Sequence, residues 1–437
     1  MSIERGWDSC QWVTSHDGVE IRHQPPRGAV ILSKSPDTIL LDRNSHGESS
    51  SNTFVIVLIS VILIFGTALV VLFLVLGGDP PPNEFICTVG AFALFDNMYP
   101  PDGLCNYLFY AHALVSNGSV LAVEVDASWQ QFKAHVKTYT MTQGGISFDA
   151  RYIQPQAFDN QNTKNALNNL AAHNIMHYGI LNIVRRLKDF DTYVDKAKQA
   201  IQKLKAIQGT DASRRLIMAI GLHDYNEPNA WERYRAAFRT AVEKTMADTV
   251  IAISSTGWIE NEQNCYSAPT SVLDSMRLQD PARTIAKSYP DLKTHAALVA
   301  ANVMYNKNTT RLGLSLEMGT LLYVLNATEM NIKKKSYRPC KQFYLTQADT
   351  VDCQGLTDSE LLAGGMRYGS PLTAANMVLS WEDEDSLQEK LNGLKTSINL
   401  RPGLSWLLYD VHLGDLSSRC STDAFERVQL VKDNLVP

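Results

Sequence analysis

The sequence predicts an α/β chain: a closed (β/α)8, TIM-type barrel preceded by a single transmembrane helix. Three observations predict it. The stretch from Phe54 to Leu76, FVIVLISVILIFGTALVVLFLVL, carries no charged residue over a length that, at helical rise, matches the ~30 Å hydrocarbon core of a bilayer. Beyond residue 84, short apolar runs of strand length alternate with longer amphipathic patterns, as parallel strands covered on both faces require. Eight such runs suggest closure into a barrel, and no GxGxxG follows the first to favour an open doubly wound sheet.

Residues 1–53 mix charges with Gly, Pro and Ser and show no sustained apolar period, which predicts a disordered tail. The apolar run 54–76 reads as an uncleaved signal anchor, since it starts well inside the chain and is longer than the core of a cleavable signal peptide. Arg5, Arg22, Arg27, Lys34 and Arg43 precede it, whereas Asp79, Glu84, Asp96 and Asp102 follow before the first later cation, Lys133. Cations stay on the cytoplasmic side, so the tail is expected inside and everything after Leu76 outside or lumenal, at the plasma membrane or a secretory-pathway membrane. The spacer 77–84 contains Pro80-Pro81-Pro82, an extended, stiff connector. Residues 85–437 form the outer domain.

Two features agree with that orientation. Acceptor tripeptides for N-linked glycans occur at Asn117, Asn308 and Asn326. Only Cys10 lies on the inner side, while Cys87, Cys105, Cys265, Cys340, Cys353 and Cys420 form an even set where an oxidising compartment permits pairing. The pairs expected are Cys87 with Cys105 and Cys340 with Cys353.

Within the outer domain the expected strands are 85–90, 106–114, 179–184, 216–221, 249–254, 312–318, 376–381 and 406–411. The clearest helices are Tyr193 to Ile207, with Val194, Ala197, Ala200, Ile201, Leu204 and Ile207 on one stripe, and Trp231 to Met246, with Tyr234, Ala237, Phe238, Ala241, Val242 and Met246. Gly144-Gly145 reads as a turn. The formal charge of −5 and the lack of a long Lys/Arg tract argue against a nucleic-acid partner. No cofactor motif occurs. His173 and His177 are four apart, but HNIMH lacks the Glu of HExxH and has no evident third ligand, so no metal is expected.

Particular residues then resemble family 18 glycoside hydrolases, the chitinases and chitinase-like proteins. FICTVGAF…PPDGLCNYLFYAHAL resembles that family's opening, in which a Cys on strand one pairs with a Cys just before strand two; Cys87, Cys105 and Tyr110-Ala111-His112 match, with His where Phe is usual. SWEDEDSLQEKLNGL and LSWLLYDVHLGDLSSRC resemble its ending, with Ser386, Lys390, Asp415 and Cys420 on corresponding positions. The resemblance implies a barrel with a sugar cleft at the carboxyl ends of its strands. It also implies a DxxDxDxE motif on the fourth strand, whose Glu protonates the leaving oxygen, and that motif is absent: only Glu360 has an Asp two residues earlier, and position 356 is Leu. RRLIMAIGLHDY is the favoured fourth strand and ADTVIAISSTGW the alternative; neither ends in the motif. The family's sugar-floor Trp aligns with Tyr409, and Trp406 precedes it.

The carboxylates near expected strand ends are Asp224 and Glu227, Glu260, Glu317 and Asp410. Glu317 interrupts an apolar run, and a buried Glu is costly unless it is paired or functional; Arg311 is the obvious structural partner. Tyr409, Trp406 and Trp258 are the expected sugar-stacking aromatics, and Trp381 lies near another strand end. The expected function is binding of an N-acetylglucosamine-type glycan or a protein partner without catalysis. The alternatives are a hydrolase using a displaced acid such as Glu317 or Asp224, and a purely structural surface domain. A sheltered Glu flanked by a second acid within the barrel's hollow would overturn the non-catalytic reading.

Overall fold

A computed structural model describes residues 84–256, 265–278, 282–303, 310–326, 336–347, 356–362, 366–371, 376–397, 404–416 and 423–435. The tail, the apolar run 54–76, the spacer up to residue 83, Asn308, Trp258, Glu260, Cys353 and Cys420 lie outside the described residues. Among the described residues no helix is long and apolar enough to cross a membrane.

Eight parallel strands close into a barrel. They are β1 (Phe85–Val89), β2 (Tyr107–Ser116), β4 (Gln143–Phe148), β5 (Ile175–Arg185), β6 (Leu216–Leu222), β7 (Thr249–Ala252), β8 (Arg311–Glu317) and β14 (Leu404–Tyr409). They pair in the order β1-β14-β8-β7-β6-β5-β4-β2, and β1 also pairs with β2, which shuts the ring. A hairpin strand, β3 (Ser119–Ala122), runs antiparallel along the end of β2.

The strands read as near-continuous apolar runs because both their faces are buried. Ile86, Phe109, Leu181, Ile217, Ile251 and Leu407 fill the barrel interior. Phe85, Cys87, Val89, Leu108 and Tyr110 point outward beneath the helices. The helix over Leu187–Gln208 buries Val194, Ala197, Ala200, Ile201 and Leu204, the stripe its period predicts. That over Ala230–Lys244 buries Tyr234, Phe238, Ala241 and Val242, but ends before Met246, which is exposed.

Two strand assignments change. QGGISF is the third barrel strand, not a turn, because its glycines are demanded by neighbours rather than by chain reversal: a Cβ on Gly145 would lie 2.6 Å from Cε1 of Phe109, whose ring fills the barrel interior. Gly145→Ala therefore overpacks the barrel and is expected to cost about 1–3 kcal/mol, measured as a fall in thermal midpoint that Phe109→Leu in the same chain partly restores.

Met377–Trp381, expected in the barrel, is instead β13 of a second sheet inserted between β8 and β14. That sheet contains β9 (Thr320–Leu325), β10 (Cys340–Thr346), β11 (Leu356–Leu362), β12 (Met366–Pro371) and β13, in the order β10-β9-β13-β12-β11. Its strand pairs are antiparallel. An apolar run alone does not distinguish the two sheets, since Val378 and Leu379 are as buried as barrel residues.

Cys87 pairs with Cys105 as expected. Cys340 pairs with Cys265, not with Cys353. Backbone hydrogen bonds from Cys340 N to Cys265 O and from Ser267 N to Arg338 O lay the 265–268 segment along the start of β10. They bring the two Cα atoms to 5.1 Å across a sequence separation of 75.

Candidate functional site at the carboxyl ends of the barrel strands

The fourth strand in barrel order is β5, Ile175–Arg185, which is neither of the two segments expected for it. Inserting QGGISF as the third strand moves RRLIMAIGLHDY to fifth and ADTVIAISSTGW to sixth. The strand holds no carboxylate, and its last residue is Arg185. Arg185 is buried, its NH1 donates to Val184 O, and its guanidinium lies 4.1 Å from the Tyr193 ring centroid. A guanidinium stays protonated in proteins, so it can bind an anion but cannot serve as a general acid.

A cavity of about 300 Å³ opens at the carboxyl ends of β1, β2, β4 and β14, closed on one side by β10 of the inserted sheet. Apolar Phe92, Phe343 and Leu345 and polar Glu124, Asp149, Arg151, Asp410 and His412 line it. Phe92 is 57% exposed. Among the charged residues, Asp149 is already partnered: Arg151 Nε donates to Oδ1 at 3.1 Å and to Oδ2 at 3.0 Å. Burial pushes this carboxyl up, yet the Arg151 hydrogen bonds and nearby His112 more than offset it and hold it below its ordinary value.

Asp410 directly follows β14 and has φ 52°, in the left-handed region. Its backbone N donates to Thr88 Oγ1 at 2.9 Å. Burial, with the charge of Glu124 added, raises its carboxyl to about 7. His412 is buried, which lowers its imidazole to about 3, and its Nδ1 is 4.0 Å from Asp410 Oδ1, beyond hydrogen-bond reach. His112 is held neutral by the same cause, lowered to about 4, with Nδ1 2.9 Å from Ser147 Oγ.

Glu317 ends β8 and is 1% exposed. Arg311 is not its partner, because that guanidinium sits at the other end of β8, 3.3 Å from Glu84. Glu317 Oε1 instead accepts from Gly319 N at 2.9 Å. Burial, then the charge of Asp410, pushes Glu317 well above the ordinary range. A sheltered Glu beside a second acid is thus present at the mouth. The two differ in access: Asp410 lines the cavity, whereas Glu317 is not among the lining residues.

The predicted aromatics are placed differently from expectation. Trp406 is 1% exposed and packs in the outer core beneath the helices, so it offers no face to a ligand. Alternation along β14 turns it away from the barrel axis. Tyr409 points inward as floor of the cavity, but its OH donates to Leu181 O across the barrel and leaves it 3% exposed. Trp381 is buried in the inserted sheet. Asp224, at the end of β6, accepts from Asn226 N and lies away from the cavity. His177 is buried on β5 with Nε2 2.9 Å from Gln143 Oε1, so it and His173 do not form a pair on one helix. The aromatics that do reach the cavity, Phe92 and Phe343, carried no sequence signal beyond their lying in loops or edges next to strand ends.

Eight parallel strands with an antiparallel insertion before the last, opening on a mouth cavity, form a TIM-type barrel. Solved structures with this fold include human YKL-39, described as a pseudo-chitinase with retained chitooligosaccharide binding, at TM-score 0.56 and 14% identity over 81% of this chain and 99% of that one. They also include an immunomodulatory active chitinase from Trichuris suis, at TM-score 0.53 and 12% identity over 81% and 100%, and a class V chitinase from Nicotiana tobaccum, at TM-score 0.50 and 11% identity over 81% and 99%. No protein-family model matches the sequence, and no curated protein matches it either.

Proposed function

We propose that this chain is a membrane-anchored, chitinase-like protein whose outer barrel binds an N-acetylglucosamine-type glycan without cleaving it. The observation that carries this reading is Arg185 at the end of the fourth barrel strand, where the chemistry of the fold's hydrolases calls for a carboxylic acid. The cavity at the carboxyl ends of β1, β2, β4 and β14 keeps what sugar binding needs: an exposed aromatic ring at Phe92, a second at Phe343, and polar groups in the same lining. The likeness to YKL-39, a pseudo-chitinase that binds chitooligosaccharides, supports the same reading.

The anchor is the apolar run 54–76, with the amino terminus cytoplasmic and the barrel outside or lumenal. Asn117, exposed on the turn between β2 and β3, is an accessible acceptor for a glycan on that side. Digestion with an N-glycosidase is expected to shift the mass of the wild-type chain, and to shift it less in Asn117→Gln.

Titration of the full-length chain in detergent micelles with chitotetraose tests the binding reading. Saturable binding is expected, weakened about tenfold or more in Phe92→Ala, which removes a stacking face. A second reading, hydrolysis through a displaced acid, is favoured by Asp410, which lines the cavity and titrates near neutrality. Chitotetraose cleavage abolished by Asp410→Asn would establish that reading in place of the first.

A further inference from the structure

We propose that the mouth cavity prefers an amine-bearing sugar, a glucosamine unit of a partly deacetylated N-acetylglucosamine oligomer, whose ammonium is held between Asp410, His412 and Glu124. This rests on the glycan reading and specifies its ligand. The first support is the charge inventory of the cavity. Arg151 is its sole Lys or Arg among the described lining residues, and that guanidinium is engaged by Asp149. Glu124 and Asp410 remain, and no described residue donates a hydrogen bond to the Asp410 carboxylate.

The second support is independent of charge. His412 is buried, lines the cavity, and its Nδ1 has no hydrogen-bond partner among the described residues. A buried polar nitrogen without a partner is costly, and a donor placed between it and Asp410 Oδ1, 4.0 Å away, would satisfy both. An ammonium offers three donors and no acceptor. The acceptors it would meet are the Asp410 carboxylate, the neutral His412 Nδ1 and the Glu124 carboxylate. An acetamido group has only one N–H and brings a carbonyl oxygen that faces the same carboxylates unfavourably.

The third support is the space itself. At Gly90 a Cβ would lie 3.4 Å from His412 Cε1 and 3.6 Å from Asp410 Oδ1, besides 2.9 Å from Ala111 O. The glycine leaves room directly against the two groups. The other titratable groups around them are engaged: Asp149 with Arg151, His112 Nδ1 with Ser147 Oγ, Tyr110 OH with Ser128 Oγ and Tyr409 OH with Leu181 O, while Glu317, outside the lining, accepts from Gly319 N.

Calorimetric titration of the full-length chain in micelles at pH 7 with glucosamine tetramer and with N-acetylglucosamine tetramer tests the proposal. The deacetylated tetramer is expected to bind about tenfold or more tightly, an advantage that shrinks between ~50 mM and ~500 mM salt as exposed Glu124 is screened. Asp410→Asn is expected to abolish the preference, and Glu124→Gln to narrow it while leaving the fold untouched at an exposed position. Equal affinities, or tighter binding of the acetylated tetramer, would overturn this proposal and leave the glycan reading standing. Binding of neither tetramer would overturn both.

Discussion

Lys390→Met is expected to cost about 3–5 kcal/mol of stability, because it strands a charge at the centre of the protein. Glu382 and Lys390 are 0% and 1% exposed and form a direct ion pair between the helix over Glu384–Ser397 and the end of β13. Glu382 Oε1 also accepts from Thr270 Oγ1 and from Ser271 Oγ at 2.8 Å, and Oε2 accepts from Ser386 Oγ at 2.8 Å. One carboxylate thus ties three segments of chain together. Removing only the ammonium leaves this carboxylate buried with its hydroxyl donors but without a countercharge. Removing both charges, in Glu382→Leu with Lys390→Met, is expected to recover about half the loss or more, since no buried charge is then unpaired. Chemical denaturation of both variants checks this; a single variant as stable as wild type would contradict it.

Asp410→Asn is expected to do the opposite and stabilise the protein, by an amount that grows from nothing near pH 4 to its full value above about pH 7. The carboxyl has its ordinary value of 3.8 in the unfolded chain and about 7 in the folded one. A group raised in this way contributes stability that is fully present below about pH 4 and lost as pH rises through about 7. Wild type therefore loses stability between those limits, and the Asn variant lacks that part of the loss. Because the side chain retains 19% exposure and shares its environment with Glu317, the expected gain at pH 8 is about 2–3 kcal/mol, with none at pH 4. Glu317→Gln is expected to shift stability in the same direction. Thermal midpoints of wild type and the two variants across this range provide the measurement, and parallel curves would show that neither carboxyl is perturbed.

The barrel was legible in the sequence because buried parallel strands read as apolar runs whatever their position in the ring. Their order was less legible. QGGISF was lost because a glycine pair signals a turn unless one knows that Phe109 needs the space, and the strand at Met377–Trp381 looked the same as a barrel strand. Those two departures compensate in the count and shift which segment is fourth in the ring, the place where the resemblance implied the DxxDxDxE motif. The end motif with Ser386 and Lys390 was legible and proves to be the buried Glu382 cluster.

At the mouth, Glu317 was visible as a charge inside an apolar run, and Asp410 as a carboxylate after the last strand. Their electrostatic pairing was not, since it depends on β8 and β14 being neighbours in register, with Tyr409 opposite Glu317. The burial of Tyr409 and Trp406 was not legible for a similar reason. Aromatic character is written in sequence, but the Leu181 carbonyl that engages the Tyr409 hydroxyl comes from the far side of the barrel.

The mouth is proposed to hold a sugar chain and to leave it intact. Incubating the full-length protein with chitotetraose at pH 5 to 8, and following products by mass spectrometry alongside calorimetric binding, tests it most directly. The account predicts saturable binding with the tetramer recovered whole. Shorter oligomers appearing in proportion to enzyme, and disappearing in Asp410→Asn, would contradict it.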